Sequence, residues 1–173
     1  ANATPLGTLG AGQTLSLGTA AVSTVVVPTA TDFVSIDDES DVDYYSFTTT
    51  AAGTVNIQLS PAGPTYNVGP YGGSESSFNA SSQSDLTLQL IGPNGTTVLS
   101  TANAGGLGFA EAINSFSVPG AGTYYVKVTG ATLNKIQMYR LDITDVPNDT
   151  QSLVVSSTSL SVTEGLTNTF TVR

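Results

Sequence analysis

Residues 85–101 read Asp-Leu-Thr-Leu-Gln-Leu-Ile-Gly-Pro-Asn-Gly-Thr-Thr-Val-Leu-Ser-Thr. Leu86, Leu88 and Leu90 fall on one side of an extended chain, and Thr87 and Gln89 on the other. This period-two alternation marks a strand with one face in a core. Gly92-Pro93-Asn94-Gly95 then supplies hairpin chemistry: Gly and Asn tolerate left-handed backbone, and Pro presets φ. A second β-rich run follows at 96–101. Strand, tight turn and strand, in that order, set the class of fold expected for the whole chain.

The same signals extend outward in both directions. In Gly122-Thr123-Tyr124-Tyr125-Val126-Lys127-Val128-Thr129-Gly130, the residues Tyr124, Val126 and Val128 form one face, and Tyr125, Lys127 and Thr129 the other. Further strand-like runs lie at 13–17, 21–27, 43–50, 53–60, 111–118 and 137–145. Only 107–114 has any helical character, and two preceding glycines favour a loop or one short turn there. The chain holds 26 Thr and 20 Ser, which with its Val and Gly content favours pleated structure. Turn signals every 8–12 residues predict an all-β, jelly-roll-like antiparallel β-sandwich.

Two stretches break the rhythm. Residues 61–84 are too long for a structureless loop inside a compact domain. They are expected to be functional, or to be held against the sheets by Tyr66, Tyr71 and Phe78. Residues 147–152 have linker composition, and fresh alternation follows over 153–173. The expected organisation is a sandwich at 1–146, a linker at 147–152, and the incomplete start of a second sandwich or a strand-forming tail at 153–173. Ala1 is not a natural start and Arg173 falls within a strand-like pattern, so a piece of a longer secreted protein is expected.

Thirteen acids stand against four bases, a net charge of −9, and Cys, His and Trp are all missing. Ser-His-Asp and Cys-His catalysis are thereby excluded, as are disulfides and His- or Cys-ligated metals. Four scattered bases cannot neutralise a run of phosphates, so no nucleic-acid partner is expected. An anionic membrane surface is disfavoured likewise, and no apolar run approaches the roughly 18 residues that would imply membrane insertion.

The ordered series Asp41-Val42-Asp43-Tyr44-Tyr45-Ser46-Phe47, Gly53-Thr54-Val55, Asp85-Leu86-Thr87-Leu88, Gly122-Thr123-Tyr124-Tyr125-Val126-Lys127-Val128 and Tyr139-Arg140-Leu141 resembles the bacterial pre-peptidase C-terminal domain. The resemblance covers roughly residues 1–146. It implies a jelly-roll sandwich similar to the collagen-binding domains of bacterial collagenases. Such domains often bind calcium and are appended to secreted hydrolases without being catalytic themselves. The tail from Leu160 to Gly165 and Thr169 to Arg173 looks like the opening of a Calx-beta-type or related Ig-like repeat.

Asp37, Asp38, Glu39, Asp41 and Asp43 place five acids within seven residues. If extended, Asp37, Glu39, Asp41 and Asp43 share a face with neighbours about 6.6 Å apart. Like charges so placed repel, and a hard cation such as Ca2+, which takes six to eight oxygens, would resolve this. The resemblance points the same way, and the competing reading is a solvated acidic turn with Asp43 capping backbone amides. Paired carboxylates for glycoside hydrolysis could be drawn only from Asp85, Glu111, Asp142 and the acidic run, and no enzyme is expected. Tyr125, Tyr71 and Tyr66 are the candidate ligand-binding residues, since exposed tyrosines offer rigid amphipathic area to a polymer. Four Asn-x-Ser/Thr sequons, at Asn2, Asn79, Asn94 and Asn148, are read as chance, and Asn94-Gly95 as turn chemistry. The functional expectation is a non-catalytic accessory domain of a secreted multidomain hydrolase, calcium-stabilised. It would contact an extracellular protein or polysaccharide polymer and neighbouring domains of its own chain. The alternative is a structural or adhesive module of a large cell-surface protein.

Overall fold

In a computed structural model, residues 2–18, 33–130 and 132–147 are described. They form β-strands and no helix: β1 (Thr4–Leu9), β2 (Thr14–Leu17), β3 (Ser35–Ile36), β4 (Val42–Thr49), β5 (Gly53–Ala62), β6 (Thr65–Val68), β7 (Ser76–Asn79), β8 (Leu86–Ile91), β9 (Val98–Ala102), β10 (Glu111–Val118), β11 (Gly122–Gly130) and β12 (Gln137–Val146). The runs expected over 21–27 and 153–173 lie outside the described residues, as does the linker beyond Pro147.

Two sheets make the sandwich. The first has the order β1-β4-β11-β8-β9, and the second β10-β5-β12-β2 with β3 also paired to β12. All pairs are antiparallel except one: β1 runs parallel to β4, with a register shift between Pro5 and Gly7. No alternation in the sequence announces β1. It carries a Pro and a Gly, and only Leu9 of its six residues is buried. The stretch 61–84 is not a structureless loop, as its length requires: β6 and β7 pair there as a separate two-stranded ribbon, strands that no alternation in the sequence marks.

The alternating residues meet in one core. Tyr45 and Phe47 of β4, Leu86, Leu88 and Leu90 of β8, and Tyr124, Val126 and Val128 of β11 face Val55, Ile57 and Leu59 of β5 and Tyr139, Leu141 and Ile143 of β12. Phe47 and Tyr124 stack with ring centroids 5.8 Å apart. The turn at 92–97 forms as its residues require. Asn94 Oδ1 accepts from the Thr96 and Thr97 amides at 3.1 and 2.9 Å, and its Nδ2 donates to Thr97 Oγ1 at 2.7 Å. The side chain thus satisfies amides that a six-residue loop would otherwise leave to water.

The first strands close over the last. Gly12 N donates to Asp145 Oδ2 at 2.8 Å, Asp145 N to Gln13 O at 2.9 Å, and the Thr14 and Thr144 hydroxyls meet at 2.9 Å. Gly18 follows β2 with φ +71, and a Cβ there would stand 2.0 Å from the Tyr139 carbonyl oxygen. Both conformation and space demand glycine. Gly18→Ala is therefore expected to lower the unfolding free energy by about 3 kcal/mol. Gly120→Ala, where a Cβ meets nothing within 4 Å, should change it by less than about 1 kcal/mol. Urea denaturation of the two variants beside the parent chain measures both, and equal effects would refute the close-approach argument.

Candidate functional site

Residues 37–41 do not continue β4 as a straight strand. Residues 38–40 form a turn, so the shared face expected of Asp37, Glu39, Asp41 and Asp43 does not arise. Asp38 organises the turn. Its Oδ1 accepts from Ser40 N at 2.6 Å, Ser40 Oγ at 2.7 Å and Asp41 N at 3.0 Å. The Ser40 hydroxyl first, then the two amides, hold the Asp38 carboxyl below its ordinary pKa. Asp41 Oδ2 in turn accepts from Asp37 N at 3.1 Å. Asp37 and Glu39 remain exposed. Backbone capping thus falls to Asp38 and Asp41 rather than to Asp43.

Asp43 belongs to the core face of β4, two residues before Tyr45, and turns inward. Its Oδ2 accepts the Tyr139 hydroxyl at 2.5 Å, and the Tyr139 and Tyr45 hydroxyls lie 2.6 Å apart. Because Tyr139 donates to the carboxylate, Tyr45 supplies the proton of the second bond. The relay runs from one sheet to the other: Tyr45 and Asp43 stand on β4 and Tyr139 on β12. Partial burial raises the Asp43 pKa despite the Tyr139 bond, and the charges of Asp41 and Asp37 push it the same way. Burial raises both phenols as well, so they stay protonated donors.

Among the described residues no three carboxylates converge on a point that could hold a metal. Calcium wants six to eight oxygens. As placed, Asp38 and Asp41 face amides and Asp43 faces a phenol, so a preformed cage is not present. The carboxylates weighed for catalysis are also dispersed. Glu111 points into the sandwich, where it accepts from Ala104 N at 3.0 Å and Gly105 N at 2.6 Å. Asp142 lies on the opposite face of the same sheet, where Arg140 Nη2 donates to it at 3.0 Å and Ser16 Oγ at 2.5 Å. Asp85 stands at the start of β8 with Oδ1 buried and unpartnered.

The tyrosine candidates divide. Tyr124 is buried, as its alternation with Val126 and Val128 requires, and Tyr125 is half-buried on the outer face of its sheet, between Ser46 and Ile91. Tyr66 and Tyr71 stand on the β6–β7 ribbon. That ribbon rejoins the sandwich at Gln83 and Ser84, before β8, whereas Tyr125 pairs with Ile91 at the far end of β8. The structure brings Tyr66 and Tyr71 onto one element and leaves Tyr125 elsewhere. Tyr71 does not hold the ribbon to the sheets, since its side chain is fully exposed.

A residue that the sequence did not single out holds the ribbon. Gln137, the first residue of β12, is wholly buried. Its Oε1 accepts from Gln83 N at 2.7 Å and Ser84 N at 3.2 Å, while its Nε2 donates to Met138 O at 2.7 Å, Ala80 O at 3.2 Å and Ala62 O at 3.4 Å. Ala62 precedes the ribbon and Ala80 follows it, so one amide clamps both of its feet. The available sign was a Gln where the β12 alternation of Tyr139, Leu141 and Ile143 calls for an apolar residue.

These features define a β-sandwich module with an acidic turn leading into β4 and an aromatic ribbon clamped at one end. The sequence model of the bacterial pre-peptidase C-terminal domain matches residues 41–130, from the residue before β4 through β11. The chain belongs to that family. Among solved structures it is similar to the pre-peptidase C-terminal domain of a collagenase from Bacillus anthracis, with 17% identity over 82% of this chain and 94% of that one and a TM-score of 0.46. No curated protein matches it.

The relay makes two expectations. Tyr139→Phe strands both Asp43 and the Tyr45 hydroxyl and should cost about 3 kcal/mol, whereas Tyr45→Phe leaves the Tyr139–Asp43 bond intact and should cost about 1 kcal/mol. Urea melts of both variants decide the order. The second concerns pH. A raised native pKa means that Asp43 contributes most to stability below its unfolded value near 4 and loses that contribution as pH rises through the native value. Asp38, with its pKa lowered, contributes above its unfolded value and loses that as pH falls. The stability of the parent chain relative to Asp43→Asn should therefore shrink with rising pH, and relative to Asp38→Asn should grow. Parallel trends in unfolding free energy from pH 3 to 7 would overturn the assignment.

Proposed function

We propose that this chain is a non-catalytic accessory module of a secreted, multidomain hydrolase, and that it holds an extracellular polymer for a catalytic domain elsewhere in the same protein. Family membership supports the accessory role. The observation that carries the polymer contact is that Tyr66 and Tyr71 lie exposed on a ribbon whose feet are fixed by a buried amide. Exposed aromatic area on a rigid support binds with little loss of freedom. Tyr125, half-buried on the outer face of the other sheet, is proposed as a second, smaller contact.

Calcium at Asp37, Asp38, Glu39, Asp41 and Asp43 is proposed as a stabiliser of the same module. Its support is charge density: five carboxylates in seven residues with no base among them. The turn at 38–40 must rearrange for them to converge. A ligand that binds only the native state raises its melting temperature with concentration. Millimolar Ca2+ should thus raise the melting temperature and EDTA reverse it, and an unchanged value with both would end the calcium reading. For the polymer, the chain should be depleted from solution by an insoluble extracellular matrix, either collagen or polysaccharide, with and without Ca2+. Retention on none of them would remove polymer binding and leave a spacer between domains.

A further inference from the structure

The ribbon has two unlike faces. Tyr66 pairs across it with Phe78 and Val68 with Ser76, so Tyr66, Phe78 and Val68 share one face, while Thr65, Asn67, Ser77 and Asn79 share the other. Every one of these residues is exposed. At the tip, Gly73 N donates to Pro70 O at 2.9 Å, and Gly72 has φ +72. This tight turn puts Tyr71 at its outer corner, with relative exposure of 108%. Among the described residues the ribbon pairs with no strand of either sheet, and Tyr66, Tyr71 and Phe78 keep 49%, 108% and 36% of their surface exposed.

A second segment adds to this surface. Gly108 of the loop before β10 sits against Ser81 and Ser82, where the ribbon returns to the sandwich. Its neighbour Phe109 is 69% exposed. Phe109 therefore stands beside the foot of the ribbon that carries Tyr66, Tyr71 and Phe78, among Ser and Asn side chains. Charge decides what such a surface takes. Residues 61–84 hold a single charged side chain, Glu75, and residues 103–110 hold none, within a chain of net charge −9. Neither segment itself carries a base to meet a sulfate, uronate or phosphate or more than one acid to meet a basic peptide; Lys135 and the acids of 37–41 stand in the neighbouring loops that flank the start of β12. Aromatic rings bordered by Ser, Asn and Gly match a ligand with apolar C–H faces and many uncharged hydroxyls.

From this we infer that the β6–β7 ribbon and Phe109 form a binding platform for an uncharged polysaccharide, with sugar rings lying on the tyrosines and hydroxyls meeting the Ser and Asn side chains. The inference rests on the polymer-binding reading above and narrows it to one ligand class at one place. Gln137 acts as a positioning residue that fixes the platform's base without touching the ligand.

The test is depletion of the whole chain from solution by four insoluble matrices: microcrystalline cellulose, chitin, heparin-agarose and fibrillar collagen. Binding to cellulose or chitin is expected, unchanged at about 0.5 M NaCl because screening does not touch uncharged contacts. Tyr71→Ala and Phe109→Ala should each weaken it about tenfold. Their melting temperatures should match the parent, since both side chains are exposed. Binding to collagen or heparin-agarose with none to cellulose or chitin overturns the ligand class and spares polymer binding. Failure on all four matrices overturns both. Undiminished glycan binding by the double variant overturns the platform. Concentration-dependent dimers that Tyr71→Ala abolishes would give the surface to a second copy of the chain and overturn it as well.

Discussion

The Tyr139 hydroxyl lies between two sheets, away from water, and a buried hydroxyl without a partner costs on the order of 1–3 kcal/mol. Its partners are on the opposite sheet. Asp43 and Tyr45 reach it only when β4 and β12 are matched at one register, since a one-residue slip would turn both side chains outward. Aliphatic residues that fill the rest of the core are less particular: Leu, Ile and Val pack in many arrangements of similar energy. The relay therefore selects one alignment of the sheets, and the apolar core stabilises it. In a chain without cysteine, the relay ties the two sheets to each other by directed bonds.

The same strand places the second buried polar group. Gln137 and Tyr139 are two residues apart on β12 and share its inward face. Tyr139 reaches across to the first sheet, and Gln137 reaches sideways to the feet of the ribbon. Sheet alignment and ribbon anchorage are thus set from neighbouring positions, which makes the first turn of β12 the junction between scaffold and binding element.

Much of this was legible in the sequence. Leu86, Leu88 and Leu90, and Tyr124, Val126 and Val128, alternate as core faces must, and Gly92-Pro93-Asn94-Gly95 forms the turn its residues specify. Features that escaped depend on partners far away in the chain. β1 has almost no buried side chains and exists because the edge of β4 offers it hydrogen bonds. β6 and β7 are two short runs of mostly polar residues whose pairing no alternation announces. The acidic stretch by itself suggests an extended chain, yet Asp38 offers its carboxylate to the amides of Ser40 and Asp41, and that local competition bends the chain. Asp43 shares strand parity with Tyr45 and so turns to the core side, away from its acidic neighbours. The buried role of Gln137 depends on carbonyls at 62 and 80, which nothing near it in sequence reveals.

The closure of β2 onto β12 joins residues that are far apart along the chain, such as Thr14 with Thr144, and so does the parallel docking of β1 on β4. Contacts of that separation are slow to form, because the intervening chain must be ordered before they repay it. Until β2 docks, the free edge of β12 is an open row of amides and carbonyls carrying Leu141 and Ile143. Such an edge accepts a strand from any chain that offers one. Order of assembly thus matters as much as final stability: β2 acts as a cap on the β12 edge that keeps the partly folded sandwich from pairing with its neighbours.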